Sequence, residues 1–488
     1  MKLLETFVEI RGWRAVGALA VALMPTACSN GDDAGGPSTG GPTWHQDVAP
    51  LVAEKCGSCH AAGGIAPFSV ADYASAKDWS KLMAKEVEAG TMPPFLAQET
   101  AECTPKLGWA QDLRLSADQK RLLRDWADAG APEGDAKSAA HVNQPALVAI
   151  EREDVAIRLP QPVTVDGDRD IHRCIVVDPG LTEDSYIVSR HVTAGNAKVV
   201  HHVVAYMVLP GANADGTPRT KAQLEQAIRD AQGVGVGGSY DCFGGPGLPD
   251  LGIEMLTAWA PGSVPSRAPP NTAQPIDKDA LILLDTHYHP TGQSEVDSDT
   301  KLSLMLGDGK PMYESRGALI GNVEEPLQSA QITGILVQQP DETKAEFVIP
   351  AGASQHVEEM NFTFTFPETS EVRIYGAGTH MHYVGRDMRV SLTHAATNET
   401  ECLIETPNWD FDWQRGYAYD ADALEDLPVL RSGDTLHLRC VYDNTTQNPH
   451  VREALEERGL DAPVPVKLGE DTLDEMCLTG LGAIFVTP

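Results

Sequence analysis

The chain carries a cysteine pair, loop methionines and clustered histidines in patterns that suit redox and metal chemistry. The most specific is Cys56-Gly57-Ser58-Cys59-His60, a C-x-x-C-H sequence. At this spacing two thiols form thioethers to the vinyl groups of a haem, and the adjacent imidazole becomes an axial iron ligand. A thioredoxin-like C-x-x-C is the competing interpretation, but it lacks the fixed histidine and needs a βαβ context. The motif therefore predicts a covalently bound haem c, with Cys56 and Cys59 as attachment points and His60 as iron ligand.

The second axial ligand is expected downstream on a loop. Gly90-Thr91-Met92-Pro93-Pro94-Phe95 offers a thioether on a proline-stiffened segment, and this segment resembles the methionine loop of small class I cytochromes c. Met83 is the competing candidate, but it lies in a helical pattern where core packing is favoured. We predict Met92 as the ligand. A His/Met pair raises the iron potential, which suits an electron carrier more than an oxygen binder.

Further along the chain, histidines gather in three short elements. They are His201-His202 within residues 199–204, His287 and His289 within residues 284–289, and His380 and His382 within residues 378–383. An H-x-H on a strand directs two imidazoles to one side, as a metal site requires. Adjacent histidines reach one ion only if the strand bends or ends there; otherwise one is buried and one exposed. Three such elements in one chain predict metal binding, with purely structural histidines as the alternative.

The elements that position these residues differ between the two parts of the chain. Around the haem motif we predict helices, the last beginning at the capping box Ser116-x-x-Gln119 and ending at Gly130. From about residue 147, short β runs at 155–159, 198–208, 280–284 and 372–375 alternate with Gly, Pro and Asp turns, which is typical of antiparallel sandwiches. The fold class is therefore mainly β with an α-helical N-terminal domain. We place the helical domain at residues 44–135 and two sandwiches at 145–315 and 316–488.

Length and charge limit the functional class. A chain of 488 residues corresponds to roughly three domains. Its formal net charge of −33 repels phosphate backbones, so nucleic acid is excluded as a partner.

The first residues read as an export signal. Basic residues precede an apolar run at 15–24, which is too short to span a bilayer and ends before Pro25-Thr26-Ala27-Cys28. We predict a signal peptide over 1–28 that ends at a lipoprotein-like Cys28, and a flexible linker over 29–43. Simple secretion without a lipid anchor is the alternative. In both cases the protein works outside the cytoplasm, in the periplasm or at the cell surface, where disulfides persist.

Four motifs together carry a family resemblance. Val200-His201-His202-Val203, Thr286-His287-Tyr288, Thr379-His380-Met381-His382 and Asp474-Glu475-Met476-Cys477 follow in order. They resemble the motifs of the copper type II, ascorbate-dependent monooxygenases, the family of peptidylglycine α-hydroxylating monooxygenase and dopamine β-hydroxylase. The resemblance covers roughly residues 150–488. It implies two jelly-roll-like sandwiches, each holding one copper ion.

The resemblance also implies the ligands. The electron-transfer copper would be held by His201, His202 and His287, and the oxygen-activating copper by His380, His382 and Met476. Three imidazoles suit Cu(II), whereas two imidazoles with a thioether favour Cu(I). The substrate-binding arginine of the peptide-amidating enzyme has Gly378 at the matching position, so a peptidylglycine substrate is not expected. His289 could be an alternative ligand, a partner of a ligand or a solvent-facing residue.

The chain has nine cysteines. Cys28 is assigned to the lipid anchor and Cys56 and Cys59 to the haem, so six remain that can form disulfides. The resemblance implies bridges between Cys174 and Cys242 and between Cys440 and Cys477. Cys103 and Cys402 either bridge the helical domain to the distal sandwich or stay free.

These features predict an exported copper monooxygenase that hydroxylates a C–H bond of a small molecule with O₂. Its electrons would come through the fused haem or from an external donor, either ascorbate-like or another cytochrome. The main alternative is a non-catalytic haem and copper electron-transfer or copper-binding surface lipoprotein. A zinc-loaded structural protein is a weaker one.

Overall fold

The computed structural model describes residues 41–486, apart from 62–65, 141–149, 168–169, 214, 243–244, 249, 323–331, 341–343, 368–369 and 470–472. The predicted signal peptide, Cys28 and most of the predicted linker lie outside the described residues. Among those described, no helix is long and apolar enough to cross a membrane.

Helices dominate the N-terminal part, as predicted. The α-helices are α1 (Ala49–Lys55), α2 (Tyr73–Lys77), α3 (Ser80–Ala89), α4 (Ala117–Asp128), α5 (Lys221–Gln232) and α6 (Pro449–Arg458). A π-helical turn at Trp44–Val48 and 3₁₀ turns at Ala136–Ser138, Phe411–Trp413 and Leu424–Asp426 complete the helical elements.

The last N-terminal helix, α4, forms for the local reasons that the sequence indicates. Ser116 accepts the Gln119 backbone N–H, and the Gln119 side chain accepts the Ser116 backbone N–H, which satisfies two donors at the helix start. Leu123 and Trp126 are buried on one face, and Gly130 follows in the left-handed conformation.

The rest of the chain is mainly β. The strands are β1 (Val155–Arg158), β2 (Val163–Val165), β3 (Ile171–Val177), β4 (Ser185–Thr193), β5 (Val200–Leu209), β6 (Ser239–Asp241), β7 (Gly252–Trp259), β8 (Ser266–Arg267), β9 (Thr272–Ile276), β10 (Leu281–Tyr288), β11 (Glu295–Asp297), β12 (Lys301–Leu306), β13 (Tyr313–Asn322), β14 (Ile332–Val337), β15 (Val348–Ile349), β16 (His356–Phe364), β17 (Glu371–His380), β18 (Gly385–Thr393), β19 (Thr400–Thr406), β20 (Gly416–Ala418), β21 (Val429–Leu430), β22 (Thr435–Tyr442), β23 (Val466–Lys467) and β24 (Cys477–Val486). All four predicted β runs coincide with strands.

These strands form several sheets. A ten-stranded sheet has the order β1-β12-β4-β9-β13-β24-β17-β20, with β8 beside β4 and β21 beside β17. Two five-stranded sheets have the orders β6-β3-β10-β5-β7 and β14-β16-β22-β18-β19. Two two-stranded ladders pair β2 with β11 and β15 with β23.

The predicted boundary near residue 315 falls inside β13, which links the two halves of the β region. Residues Tyr313 and Glu314 pair in parallel with Thr272 and Ala273 of β9, and Glu314 to Asn322 pair antiparallel with β24. The ten-stranded sheet therefore continues from the first half into the second.

The N-terminal part does not pack as an isolated unit. Trp44, Trp126 and neighbouring residues form one core of their own. Phe95 and Trp109, in contrast, are buried in the core of the C-terminal sheets, where the Trp109 ring stacks on Tyr419 at a centroid distance of 5.0 Å. The loop after α3 is thus anchored on the distal β region.

Three disulfides cross-link the described part of the chain. Cys174–Cys242 and Cys440–Cys477 are the two predicted pairs, and Cys103–Cys402 is bridged rather than free. The third bridge ties the loop before α4 to β19. Three disulfides indicate an oxidising, exported environment, as predicted.

Candidate metal centres

Three imidazoles from β5 and β10 converge on one point. The Nδ1 atoms of His201, His202 and His287 form a triangle in which each pair is 3.2 Å apart. Nitrogens that bind one ion at about 2.0–2.1 Å in a tetrahedral arrangement lie about 3.3 Å from each other. The spacing in this structure therefore fits three ligands of a single metal ion. We call this set the three-histidine cluster.

A β-bulge brings the adjacent histidines to one side. In the pairing of β10 with β5, His287 lies opposite His202 but Tyr288 lies opposite Val200, so His201 is an extra residue. An extra residue bends the strand and re-aims its side chain. This is the bend that the sequence required for both histidines to reach one ion.

Asp170, which no sequence pattern singled out, fixes the orientation of His287. Its Oδ2 accepts a hydrogen bond from His287 Nε2 at 2.7 Å, and its Oδ1 accepts one from His289 Nδ1 at 2.8 Å. Because His287 donates through Nε2, the neutral ring presents the Nδ1 lone pair to the cluster. His289 is exposed and acts through Asp170, so it is a partner of a ligand.

Burial keeps His202 and His287 neutral. It lowers the pKa of His287 to about 4, against the opposing effect of Asp170, and holds the pKa of His202 well below its usual value, helped by the neighbouring histidines. Burial opposes ionisation of Asp170, but the hydrogen bonds from His287 and His289 outweigh it and lower the pKa of this carboxyl. Neutral imidazole is the form that binds metal, so protons compete weakly with an ion here.

Two further side chains border the three-histidine cluster. The His172 ring stacks on His287 at 4.3 Å with an interplanar angle of 10°. On the outer side, Asp412 Oδ1 lies 3.7 Å from His201 Nε2. His172, which had no assigned role from sequence, thus supports a cluster ring from behind.

The H-x-H motif lies where β17 leaves its sheet. His380 is the last residue of β17, and His382 follows beyond the strand end; their ring centroids are 5.2 Å apart and their planes are nearly perpendicular. Gln414 Oε1 lies 2.7 Å from His380 Nδ1, and the Asp474 carbonyl oxygen lies 3.1 Å from His382 Nδ1. Since Gln414 engages Nδ1–H of His380, that ring presents Nε2 to a ligand. Burial lowers the pKa of His380.

The segment that contains Met476 is tied to this pair. His380, the last residue of β17, pairs with Leu478 of β24, and Met476 precedes Leu478 by two residues. Glu475 Oε1 accepts the backbone N–H of His382 and, at 2.8 Å, that of Met476. Glu475 is fully buried, and one of its oxygens therefore ties the two ligand-bearing segments together. The sequence motif contained Glu475, but nothing in its spacing indicated this role.

The C-x-x-C-H motif keeps two free thiols in a chain whose other described cysteines are bridged. Cys56, Phe68 and Met92 pack against the helical core. His60 Nδ1 lies 3.0 Å from the Phe68 carbonyl oxygen, so Nε2 remains as the ligating atom. Burial raises the pKa of Cys56 to about 12 and lowers that of His60. Unpaired thiols beside an oriented imidazole fit haem attachment, and Met83 is buried in the helical core, as its helical pattern predicted.

Comparisons with known proteins add no identification. No family model and no curated protein matches the chain. A structure of infectious bursal disease virus Gt strain is similar at 11% identity over 69% of this chain and 74% of that chain, with a TM-score of 0.13. Paenibacillus xanthan lyase is similar at 10% identity over 73% of this chain and 29% of that chain, with a TM-score of 0.15. These scores are too low to indicate a shared fold.

Proposed function

We propose that this chain is an exported copper-dependent monooxygenase that hydroxylates a C–H bond of a small molecule with O₂. The observation that carries the proposal is the convergence of three imidazole nitrogens at 3.2 Å, together with a second imidazole pair that Glu475 ties to the segment of the buried Met476. One set has three imidazole donors and the other has two imidazoles and a softer thioether. Such a pair of sets suits two copper ions with different functions.

The donor chemistry supports a division of labour. His201, His202 and His287 would hold one copper ion, and three imidazoles accommodate Cu(II) well. His380, His382 and Met476 would hold the other, and the thioether favours Cu(I). When bound, these ions would supply oxygen activation at the Met476 site and a second electron from the three-histidine cluster.

The protein's own residues would orient and enclose these sites. Gln414 would hold Nε2 of the His380 ring toward the ligand position. Trp409 is buried, donates its indole N–H to the His382 carbonyl oxygen at 3.2 Å and lies 6.5 Å from the His380 ring. This packing excludes water from one side of the H-x-H pair, which protects the reactive site from competing solvent.

For the helical part we propose a class I cytochrome c-like domain with a covalently bound haem c. Cys56 and Cys59 would form the thioethers, and His60 and Met92 would bind the iron. A donor domain tethered to its acceptor has a high effective concentration, so this haem is a suitable electron inlet. An ascorbate-like compound or another cytochrome would reduce it from outside. The β region would form two jelly-roll-like sandwiches, and Cys28 would carry the lipid anchor.

Metal content and turnover test the proposal. The purified full-length chain should contain about two copper atoms and one iron, show a type II copper EPR signal, and consume O₂ with a reductant during a screen of metabolites for hydroxylated products. The variant Met476→Ala should lose product formation while the three-histidine cluster keeps its copper and its EPR signal.

The outcomes separate the alternatives. Full copper loading without product or O₂ consumption would support the non-catalytic electron-transfer protein. Zinc in place of copper would support the structural protein and contradict the monooxygenase.

A further inference from the structure

We propose that residues 410–415 form an electron-transfer junction that connects the haem motif with both copper donor sets. This inference rests on the proposed function and adds the route that electrons take. The junction segment comprises Asp410, the 3₁₀ turn Phe411–Trp413, Gln414 and Arg415.

At one end the junction segment contacts the three-histidine cluster. Asp412 Oδ1 lies 3.7 Å from His201 Nε2, and the Phe411 ring stacks on the His201 ring at a centroid distance of 6.2 Å and an angle of 20°. The contact with Asp412 is made by Nε2, so it leaves the converging Nδ1 atom of His201 unchanged.

The same phenylalanine contacts the second donor set. The Phe411 ring lies 6.1 Å from the His382 ring in an edge-to-face arrangement, and Phe411 is buried. One side chain is thus a near neighbour of a proposed ligand of each set. The distance between the His201 and His382 ring centroids is therefore no larger than the sum of their two distances to the Phe411 ring. Such a separation is short enough for electron tunnelling through packed atoms.

Gln414 contributes the second link to the H-x-H pair. Its Oε1 accepts from His380 Nδ1 at 2.7 Å, and its Nε2 is buried without a hydrogen-bond partner among the described residues. An amide that leaves one nitrogen unsatisfied is held there by the His380 contact and by packing. Gln414 therefore orients the His380 ring, and its backbone is bonded directly to that of Arg415.

Arg415 carries the junction segment to the haem motif. Its guanidinium lies 5.7 Å from the ring centroid of Phe95, which follows the Met92 loop, and 5.7 Å from that of Tyr417. Cys59 lies against Gly262, where an added Cβ would overlap the sulfur. The haem motif is thus packed on the β region, and the segment that contains Met92 and Phe95 lies next to Arg415.

The chemistry at each step is a single electron transfer. With both groups bound, a ferrous haem iron would give one electron to a Cu(II) ion, leaving ferric iron and Cu(I), with no bond formed or broken and no proton moved. Electron tunnelling weakens steeply with distance and most steeply across gaps, so continuous covalent and van der Waals contact through residues 411–415 favours this route over one through solvent. Arg415 and Gln414 would carry the electron from the haem to the copper ion at His380. Phe411 would carry it between that ion and the copper ion of the three-histidine cluster.

The test is stopped-flow spectroscopy on the full chain loaded with haem and copper, under anaerobic conditions. Haem reoxidation is followed by absorbance after one-electron reduction, and the distribution of Cu(II) between the sets by freeze-quench EPR. We expect Phe411→Leu to slow equilibration between the copper sets by about tenfold, and Gln414→Leu or Arg415→Met to slow haem reoxidation by a similar factor. Phe411→Tyr keeps the ring and should restore the rate.

Copper and haem stoichiometry separate the two hypotheses. Phe485→Leu, at a partly exposed aromatic on β24, is the matched control and should change neither rate. If all variants bind about two copper ions and one haem but keep wild-type rates, the junction is wrong and the proposed function stands. If the wild-type chain binds no copper, the proposed function and this inference both fail.

Discussion

The choice of nitrogen atom in each imidazole is decided by a single neighbouring acceptor. Asp170 accepts a hydrogen bond from Nε2–H of His287, so that ring offers Nδ1, whereas Gln414 accepts one from Nδ1–H of His380, so that ring offers Nε2. Such partners restrict ring rotation and raise ligand basicity. The His287 and His380 rings therefore present different nitrogen atoms.

At the residue scale, Glu475 gives a pH-dependent prediction. Burial raises its pKa to about 8, against backbone N–H groups that favour the charged form. A raised native pKa stabilises the fold below about pH 4.5, the unfolded value, and that contribution is lost as pH rises through 8. Glu475→Gln keeps the acceptor oxygen without the charge, so it should become more stable relative to wild type by a few kcal/mol as pH rises from 5 to 9.

Thermal unfolding of the metal-free chain at both pH values measures this difference. Comparing variant with wild type at each pH removes the contributions of other titrating groups. A stability difference that is the same at pH 5 and pH 9 would show that the carboxyl is already charged in the folded protein.

The ligand-bearing elements were predictable to different degrees. The strand runs and the H-x-H pattern follow from local periodicity, so β5, β10 and β17 match the sequence expectation. The bulge at His201 was stated only as a condition, since it depends on the register between strands. Asp170 and Gln414 lie 117 residues from His287 and 34 from His380, and such pairings are set by tertiary packing that no local pattern encodes.

At the element scale, the Cys440–Cys477 bridge should support the Met476 site specifically. It joins β22 to the first residue of β24, directly after Met476. Closing a loop with a sequence separation of 37 stabilises the fold by about 4 kcal/mol in the chain-entropy view. Replacing both cysteines by alanine should lower the melting temperature and weaken Cu(I) binding at the second set by about tenfold.

The Cys174–Cys242 pair is the matched control. Its sequence separation of 68 gives a comparable entropic loss when both cysteines are replaced, again about 4 kcal/mol. Chelator competition for Cu(I) in both double variants distinguishes local from global effects. Equal weakening of the Met476 site in the two variants would contradict a specific role for Cys440–Cys477.

At the scale of the whole molecule, charge governs encounters with electron donors. A net charge of −33 repels anionic reductants at long range, and salt screens that repulsion. Haem reduction by ascorbate should therefore accelerate severalfold as ionic strength rises from about 0.01 to 0.15 M, where the Debye length falls from about 30 to 8 Å. Reduction by a cationic ruthenium hexammine complex should slow over the same range, and a common response to salt would indicate an effect on protein structure instead.

The joint between the halves of the β region has a mechanical consequence. β13 is held to β24 by a ladder of nine residue pairs but to β9 by only two parallel pairs. Under a pulling force applied to the two halves, the load would concentrate on the two-pair seam, which would rupture before either flanking ladder. A single-molecule extension trace should then begin with one small, low-force step, after which β13 remains fastened to the C-terminal half.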